Sequence, residues 1–317
     1  MISDELLELL PQLRENDLPL PVEDFSAISD MNSEELEAFL EVWRSLSDAR
    51  RRELILELGK QADEHIELNF DLINRAGLRD QDPIVRQTAI SNLWECKDSD
   101  LIAVYLESLH EDPSSEVRVS AADALGRYVL MGELDEISSE EHKQIENALL
   151  SLMESEIISL LQQSCIKALG YSSRKESESV IEQAYQSDDP DIRKSAIVAM
   201  GRSYNPRWEP QVLDEMTSPY PGIRAEAAKA AGELELTIAI EPLIELLDDV
   251  HDAVQQSAVW SLGQIGGDRA EEALIAMQDM IEEEQMLKVI EDALDHLAFL
   301  KGSPDFALLD FEGPDVE

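Results

Sequence analysis

Apolar residues along this chain follow two nested periods. Within short segments they recur every three or four positions, the spacing of one helical face. Between segments the same group returns after about 31 residues. The marker is the apolar residue one place before a recurring arginine or its equivalent: Val85, Val117, Leu161, Ile192, Ile223, Val254 and, in weaker form, Met286. Successive intervals are 32, 44, 31, 31, 31 and 32 residues. A steady period in the low thirties, built of helical segments, predicts stacked helix pairs, because one pair cannot bury its apolar faces alone. The single long interval places an insertion of about 12 residues within Leu130 to Gln144.

Each unit has the same parts. An outer helix, such as Leu101 to Leu109, Val180 to Tyr185 or Ile240 to Leu247, leads through a short Asp/Ser/Pro turn into an Ala-rich inner helix. In Asp82-Pro83 and Asp189-Pro190 the aspartate can cap free backbone N–H groups, while proline at the first helical position forfeits no hydrogen bond. Gly126, Gly170, Gly201, Gly232 and Gly263 are expected to close the inner helices in the left-handed conformation. The expected fold is all-α: a right-handed α-solenoid of seven to eight stacked helix pairs, an armadillo-like superhelix, over residues 31–301. Residues 1–30 form an N-terminal extension whose Leu18-Pro19-Leu20-Pro21 cannot continue a helix. Residues 302–317 form an acidic tail that is either disordered or docked through Phe306, Leu309 and Phe311.

The segments Asp80 to Val85-Arg86, Asp112 to Val117-Arg118, Ser187 to Ile192-Arg193, Ser218 to Ile223-Arg224 and Asp249 to Val254-Gln255 are each followed by Ala and later by Leu-Gly, Met-Gly or Ala-Gly. In these residues the chain resembles the HEAT-repeat family, in the short variety first described in phycobilisome lyases. The resemblance runs from about Ser33 to Leu300 and includes a divergent first pair, Ser33 to Lys60, whose Arg50-Arg51-Arg52 falls where the later arginine sits. It implies that Arg86, Arg118, Arg193 and Arg224 bond Asp80, Asp112, Ser187 and Ser218 at the preceding turn and so ladder the repeats together. Gripping an extended acidic ligand is the other role open to these arginines.

Composition agrees with helices: few aromatic residues and little β-branched alternation leave no strand signal. Charge narrows the partners. With 69 acidic against 25 basic residues the formal net charge is −44, a field that repels nucleic acid and anionic membrane alike. No stretch holds the roughly 18–20 apolar residues of a membrane span. The acidic start Met1 to Leu10 lacks the basic segment of a signal peptide, so a cytoplasmic location is expected. Cys96 and Cys165 lie in different repeats without metal-ligand spacing and read as buried reduced thiols.

Helical spacing points to the surface that would meet a partner. If the Val/Ile, Ala and Leu/Met positions face the core, the concave face carries Gln87, Val119, Gln163, Lys194, Ala225 and Gln256, then Ser91, Asp123, Lys167, Val198, Lys229 and Trp260. Only Asp123 among these is acidic. Either the groove is neutral to weakly basic for a ligand, or inner helices merely avoid crowding like charges. The partner-binding candidates are Gln163, Lys167, Lys194, Lys229, Gln256 and Trp260. A second candidate patch, Arg202, Tyr204, Arg207 and Trp208, has the composition of interface anchors, although its aromatics can equally fill space between repeats.

Catalytic chemistry finds no foothold. Similar repeat proteins such as deoxyhypusine hydroxylase hold iron with paired His and Glu on inner helices. Here His65, His110, His142, His251 and His296 are scattered, and His110-Glu111 closes an outer helix. No metal, cofactor or catalytic residue is therefore expected. The expected function is a non-enzymatic protein-interaction scaffold that binds a protein partner. The alternatives are a repeat enzyme of the bilin lyase type and a structural subunit of a larger complex.

Overall fold

The computed structural model describes residues 2–15, 22–155 and 158–302. Among them are helices and turns but no strand. The Leu18 to Pro21 linker and the tail from residue 303 lie outside the described residues. The chain divides into two compact units, residues 1–149 and 150–317. Among the described residues no helix is long and apolar enough to cross a membrane.

The first unit contains α1 (Asp4–Glu15), α2 (Val22–Ser26), α3 (Ser33–Ser45), α4 (Asp48–Glu64), α5 (Asp71–Gly77), α6 (Pro83–Asn92), α7 (Asp100–Glu111) and α8 (Ser115–Glu133). It also holds most of α9 (Ser139–Met153). Inner helices α4, α6 and α8 stack in order, and α5 and α7 each pack on the inner helix that follows. Helix α1 lies against α3 with Leu6, Leu9 and Leu13 buried. Ser3 N–H donates to the Glu35 carboxylate at 3.0 Å. Part of the expected N-terminal extension is thus a helix packed on the first pair. The insertion lengthens α8 to 19 residues and supplies the turn into α9.

The second unit holds α10 (Ser159–Leu169), α11 (Lys175–Tyr185), α12 (Pro190–Arg202), α13 (Glu209–Glu215), α14 (Pro221–Glu233), α15 (Ile240–Leu246), α16 (Asp252–Ile265), α17 (Asp268–Gln278) and α18 (Glu284–Gly302). Its inner helices α10, α12, α14, α16 and α18 stack in that order, with the odd-numbered helices between them on the outer side. One apolar cluster runs through the stack, from Ile166 past Ala196, Ala227 and Ala258 to Leu297. Small alanines at the contact let neighbouring helices approach closely, and the capped turns behave as expected. Asp82 accepts from the N–H groups of Ile84 and Val85, and Asp189 from that of Asp191, each with proline in the first turn.

The glycines do a different job from the one expected. Gly126, Gly201, Gly232 and Gly263 lie inside their helices, and Gly170 follows α10 with φ −56°. None is left-handed. Four of them mark the closest approach of one inner helix to the next. A Cβ on Gly170 would stand 2.6 Å from Ala199 Cα, on Gly232 2.9 Å from Ser261 Cα, on Gly201 3.0 Å from Ala230 Cα, and on Gly263 3.1 Å from Ala293 Cα. The left-handed exit comes three residues later, at Tyr204 (φ 49°), Glu235 (φ 51°) and Gly266 (φ 74°). A Leu-Gly or Met-Gly pair near a helix end reads as a cap in sequence, but only the neighbouring backbone shows that the missing Cβ is used for packing.

Candidate functional site

The recurring arginines form a ladder, though not through the expected atoms. Arg86, Arg193 and Arg224 each donate from Nη1 to the backbone carbonyl six residues earlier, on Asp80, Ser187 and Ser218. Gln255 repeats the bond to Asp249 O. The side chains of Ser187 and Ser218 are not their acceptors. The carboxylate partner lies one repeat ahead. Arg86 grips Asp112 with Nε and Nη2, both at 2.8 Å, and Arg224 grips Asp249 at 2.8 and 2.9 Å. Arg52 holds Asp82 in the same way. Arg193 has Glu215 at 3.5 Å and stacks over Tyr220. Arg118 instead donates to Leu109 O. Asp82, Asp112 and Asp249 each also accept from the backbone N–H two residues on, so one carboxylate holds both its own turn and the arginine of the preceding repeat. The Arg52 and Arg224 guanidinium groups hold the Asp82 and Asp249 carboxyls below the usual carboxylate range. Committed on both sides, Arg86 and Arg224 are packing elements and leave little for a ligand.

The concave positions named from sequence all keep contact with solvent; none is buried. In the second unit Gln163 and Lys167 lie on α10, Lys194 on α12, Lys229 on α14, and Gln256 and Trp260 on α16. The Lys194 ammonium lies 3.2 Å from Asp191, and its stem reaches over Gly222. Trp260, 36% exposed, lays its ring against Gly232, where a Cβ would meet Cζ3 at 2.8 Å. The missing side chain therefore seats the indole. Lys229 lies 3.9 Å from Glu233, one turn on along α14.

The charge of whole helices sharpens the picture. Helices α10, α12, α14 and α16 together carry six basic residues (Lys167, Arg193, Lys194, Arg202, Arg224, Lys229) and four acidic ones (Asp191, Glu226, Glu233, Asp252), net +2. Outer helices α11, α13, α15 and α17 carry two basic and eleven acidic residues, net −9. The terminal α18 departs from the inner pattern, with four acids against two bases. Acid is sparse on four consecutive inner helices of a chain whose net charge is −44.

The second patch does not come together as one surface. Trp208 is 1% exposed and fills the core, while Arg207 stacks on its ring and pairs outward with Glu178 at 2.6 Å. Arg202 points the other way: it lies over Tyr171, 5.1 Å from the ring centroid, and donates to Lys167 O at 3.0 Å. Tyr204 stands in solvent, 67% exposed. Only Arg202 adjoins the groove lysines. In the first unit the structure adds a residue that the sequence reading missed. Trp94 is 61% exposed between a hollow of about 470 Å³, lined among others by Leu56, Ile66 and Phe70, and one of about 300 Å³ beside Asp123 and Arg127. It lies three residues beyond Ser91, a helical step that could have placed it on the same face.

Burial pushes the Glu233 carboxyl up, against the opposing pull of Lys229 and Arg202. An unfolded glutamate ionises near pH 4.3. With the folded value higher, the native state loses stability as pH rises through that range and carries the full penalty at neutral pH. Glu233→Gln should therefore raise stability at pH 7 by about 1 kcal/mol and change it little at pH 3. Urea denaturation at the two pH values checks this; equal effects at both would show that the charge is not the cause.

No curated protein sequence matches the chain. Among solved structures, YibA from Escherichia coli is similar at 15% identity, covering 96% of this chain and 98% of its own, with a TM-score of 0.42. The CpcE–CpcF complex of phycocyanin lyase from Nostoc sp. PCC7120 is similar at 16% identity over 72% of this chain and 94% of that one, TM-score 0.46. Human deoxyhypusine hydroxylase is similar at 18% identity over 93% and 96%, TM-score 0.37. A lyase and a hydroxylase are among them, and none of these likenesses carries an activity across. The sequence family described as HEAT repeats matches residues 71–139 and 209–298, half of the chain. With that match and the stacked helix pairs of both units, the chain belongs to the HEAT-repeat family.

Proposed function

We propose that this chain is a non-enzymatic scaffold that binds a protein segment on the inner-helix face of its second unit. The observation behind this reading is the charge contrast between inner helices at +2 and outer helices at −9. A face that only needed solubility would share the acidic bias of the rest. The lysines at 167, 194 and 229 suit carboxylates or backbone carbonyls of a partner, and Trp260 offers a flat apolar anchor already seated by packing. The acidic exterior limits non-specific association and repels polyanions, which favours a short segment over a nucleic acid.

The test is a partner recovered by affinity purification and then titrated against the variant Lys167→Glu, Lys194→Glu, Lys229→Gln, Trp260→Ala. Glutamine is chosen at 229 because a new carboxylate there would face the half-buried Glu233. Binding should weaken at least about tenfold, since truncating one aromatic anchor often costs roughly 2 kcal/mol. Circular dichroism should match the parent. Undiminished affinity in a folded variant would move the site off this face, with the exposed Trp94 next in line.

A further inference from the structure

We infer that Glu133, His142 and Glu146 form a binding site for one divalent transition-metal ion of the zinc type. The three lie in the insertion that breaks the 31-residue period or just past it, so no repeat-packing role demands them. Glu133 is the last residue of α8; His142 and Glu146 share one face of α9, one turn apart. Between the helices Asp135 adopts φ 59°, and a reciprocal cap starts α9: Ser138 N–H donates to Glu141, and Glu141 N–H donates to Ser138 Oγ. This turn brings the two helix ends side by side.

One donor atom from each side chain lies within 4.8 Å of the others. His142 Nε2 is 3.8 Å from a Glu133 oxygen and 3.7 Å from a Glu146 oxygen. Both separations are too long for a hydrogen bond. Both are shorter than twice the roughly 2.0–2.2 Å metal–ligand distance, so an ion can stand between the donors. Nε2 is shut off from solvent and has no hydrogen-bond partner. The imidazole is seated by Gly132, where any Cβ would collide with the ring. Glu146 is only 4% exposed, and Glu133 stands at the negative end of the α8 dipole. Two carboxylates and a helix C-terminus around a nearly enclosed nitrogen make this point favourable for a cation.

The donor set selects the ion. An imidazole nitrogen beside two carboxylates favours zinc or cobalt over magnesium and calcium, which prefer all-oxygen shells. Three protein donors leave a fourth position for water. Bound there, the ion would pin the end of α8 to the first turns of α9.

The experiment uses the full chain stripped with chelator, then titrated with Zn²⁺ by calorimetry and with Co²⁺ by visible absorption. One equivalent should bind tightly above the weak background of the acidic surface, and millimolar Mg²⁺ should not displace it. His142→Gln and Glu146→Gln should each weaken that equivalent by at least the roughly 10–100-fold that even an outer-shell change can cost. If either variant fails to fold by circular dichroism, Glu133→Gln carries the comparison, because that side chain is one-quarter exposed. Absence of a stoichiometric equivalent in the parent would overturn the proposal and leave the imidazole as a packing group between the two helices. Equal binding by parent and a folded His142→Gln would overturn it too, assigning the ion to the acidic surface.

Discussion

Gly170→Val should destabilise the second unit by about 3 kcal/mol, near the upper end of what overpacking costs, whereas Gly222→Ala should leave stability level or raise it by a few tenths of a kcal/mol. Gly170 follows inner helix α10 and Gly222 lies in the first turn of α14, and both have ordinary backbone, so local conformation does not separate them. Their neighbours do. A Cβ at 170 would stand 2.6 Å from Ala199 Cα and 2.8 Å from Ala199 O, which are backbone atoms that cannot rotate aside. Helix α12 would have to move, and its other flank is held against α14 by the same close approach at Gly201 and Ala230. The displacement therefore passes along the stack. At 222 the nearest atom is Lys194 Cδ at 3.7 Å, the end of a flexible stem. Urea denaturation followed by circular dichroism distinguishes the cases. A valine at 170 tolerated as readily as an alanine at 222 would mean that the inner helices are not packed at glycine distance.

That contrast also shows what could be read from the chain. The 31-residue interval, the Asp-Pro starts and the Ala-rich stripes located the helix pairs because each signal acts within one or two turns of its own position. The role of the glycines was misread because the deciding atom, such as Ala199 Cα for Gly170, lies about thirty residues away. The ladder was half legible for the same reason. The acceptor six residues back is local, but the carboxylate gripped by Arg86 is Asp112, 26 residues ahead. Within the candidate groove, helical phase was enough to find solvent-facing lysines, since it depends only on register. Phase alone could not show that Trp208 is buried while Tyr204, four residues earlier, stands in water. Nor could it join Glu133 to His142, which look unrelated until a left-handed Asp135 folds α9 back on α8.

The second large effect is expected at the ladder. Asp249→Ala should cost about 3 kcal/mol, the lower end of the range for breaking a buried ion pair. The loss has two parts. Arg224, with its side chain 14% exposed, would keep its bond to Ser218 O but lose both bonds to the carboxylate, leaving a nearly buried guanidinium short of its counter-charge. The His251 N–H would also lose its acceptor at the start of α16. Asp249→Asn keeps an acceptor for that N–H and removes the charge, so it should cost less than the alanine variant. Arg224→Met combined with Asp249→Ala should cost less than the two single changes added, because neither charge is then left unpaired. Acid gives an independent readout. The Asp249 carboxyl titrates below its unfolded value, near 3.9, because Arg224 holds it ionised. Its stabilisation is complete at neutral pH and is lost as pH falls from about 4 through the depressed folded value. The gap in stability between parent and Asp249→Asn should therefore be full at pH 7 and close progressively below pH 4. A gap that stayed constant across that window would trace the loss to packing and remove the charge pair from the account of how these repeats are held together.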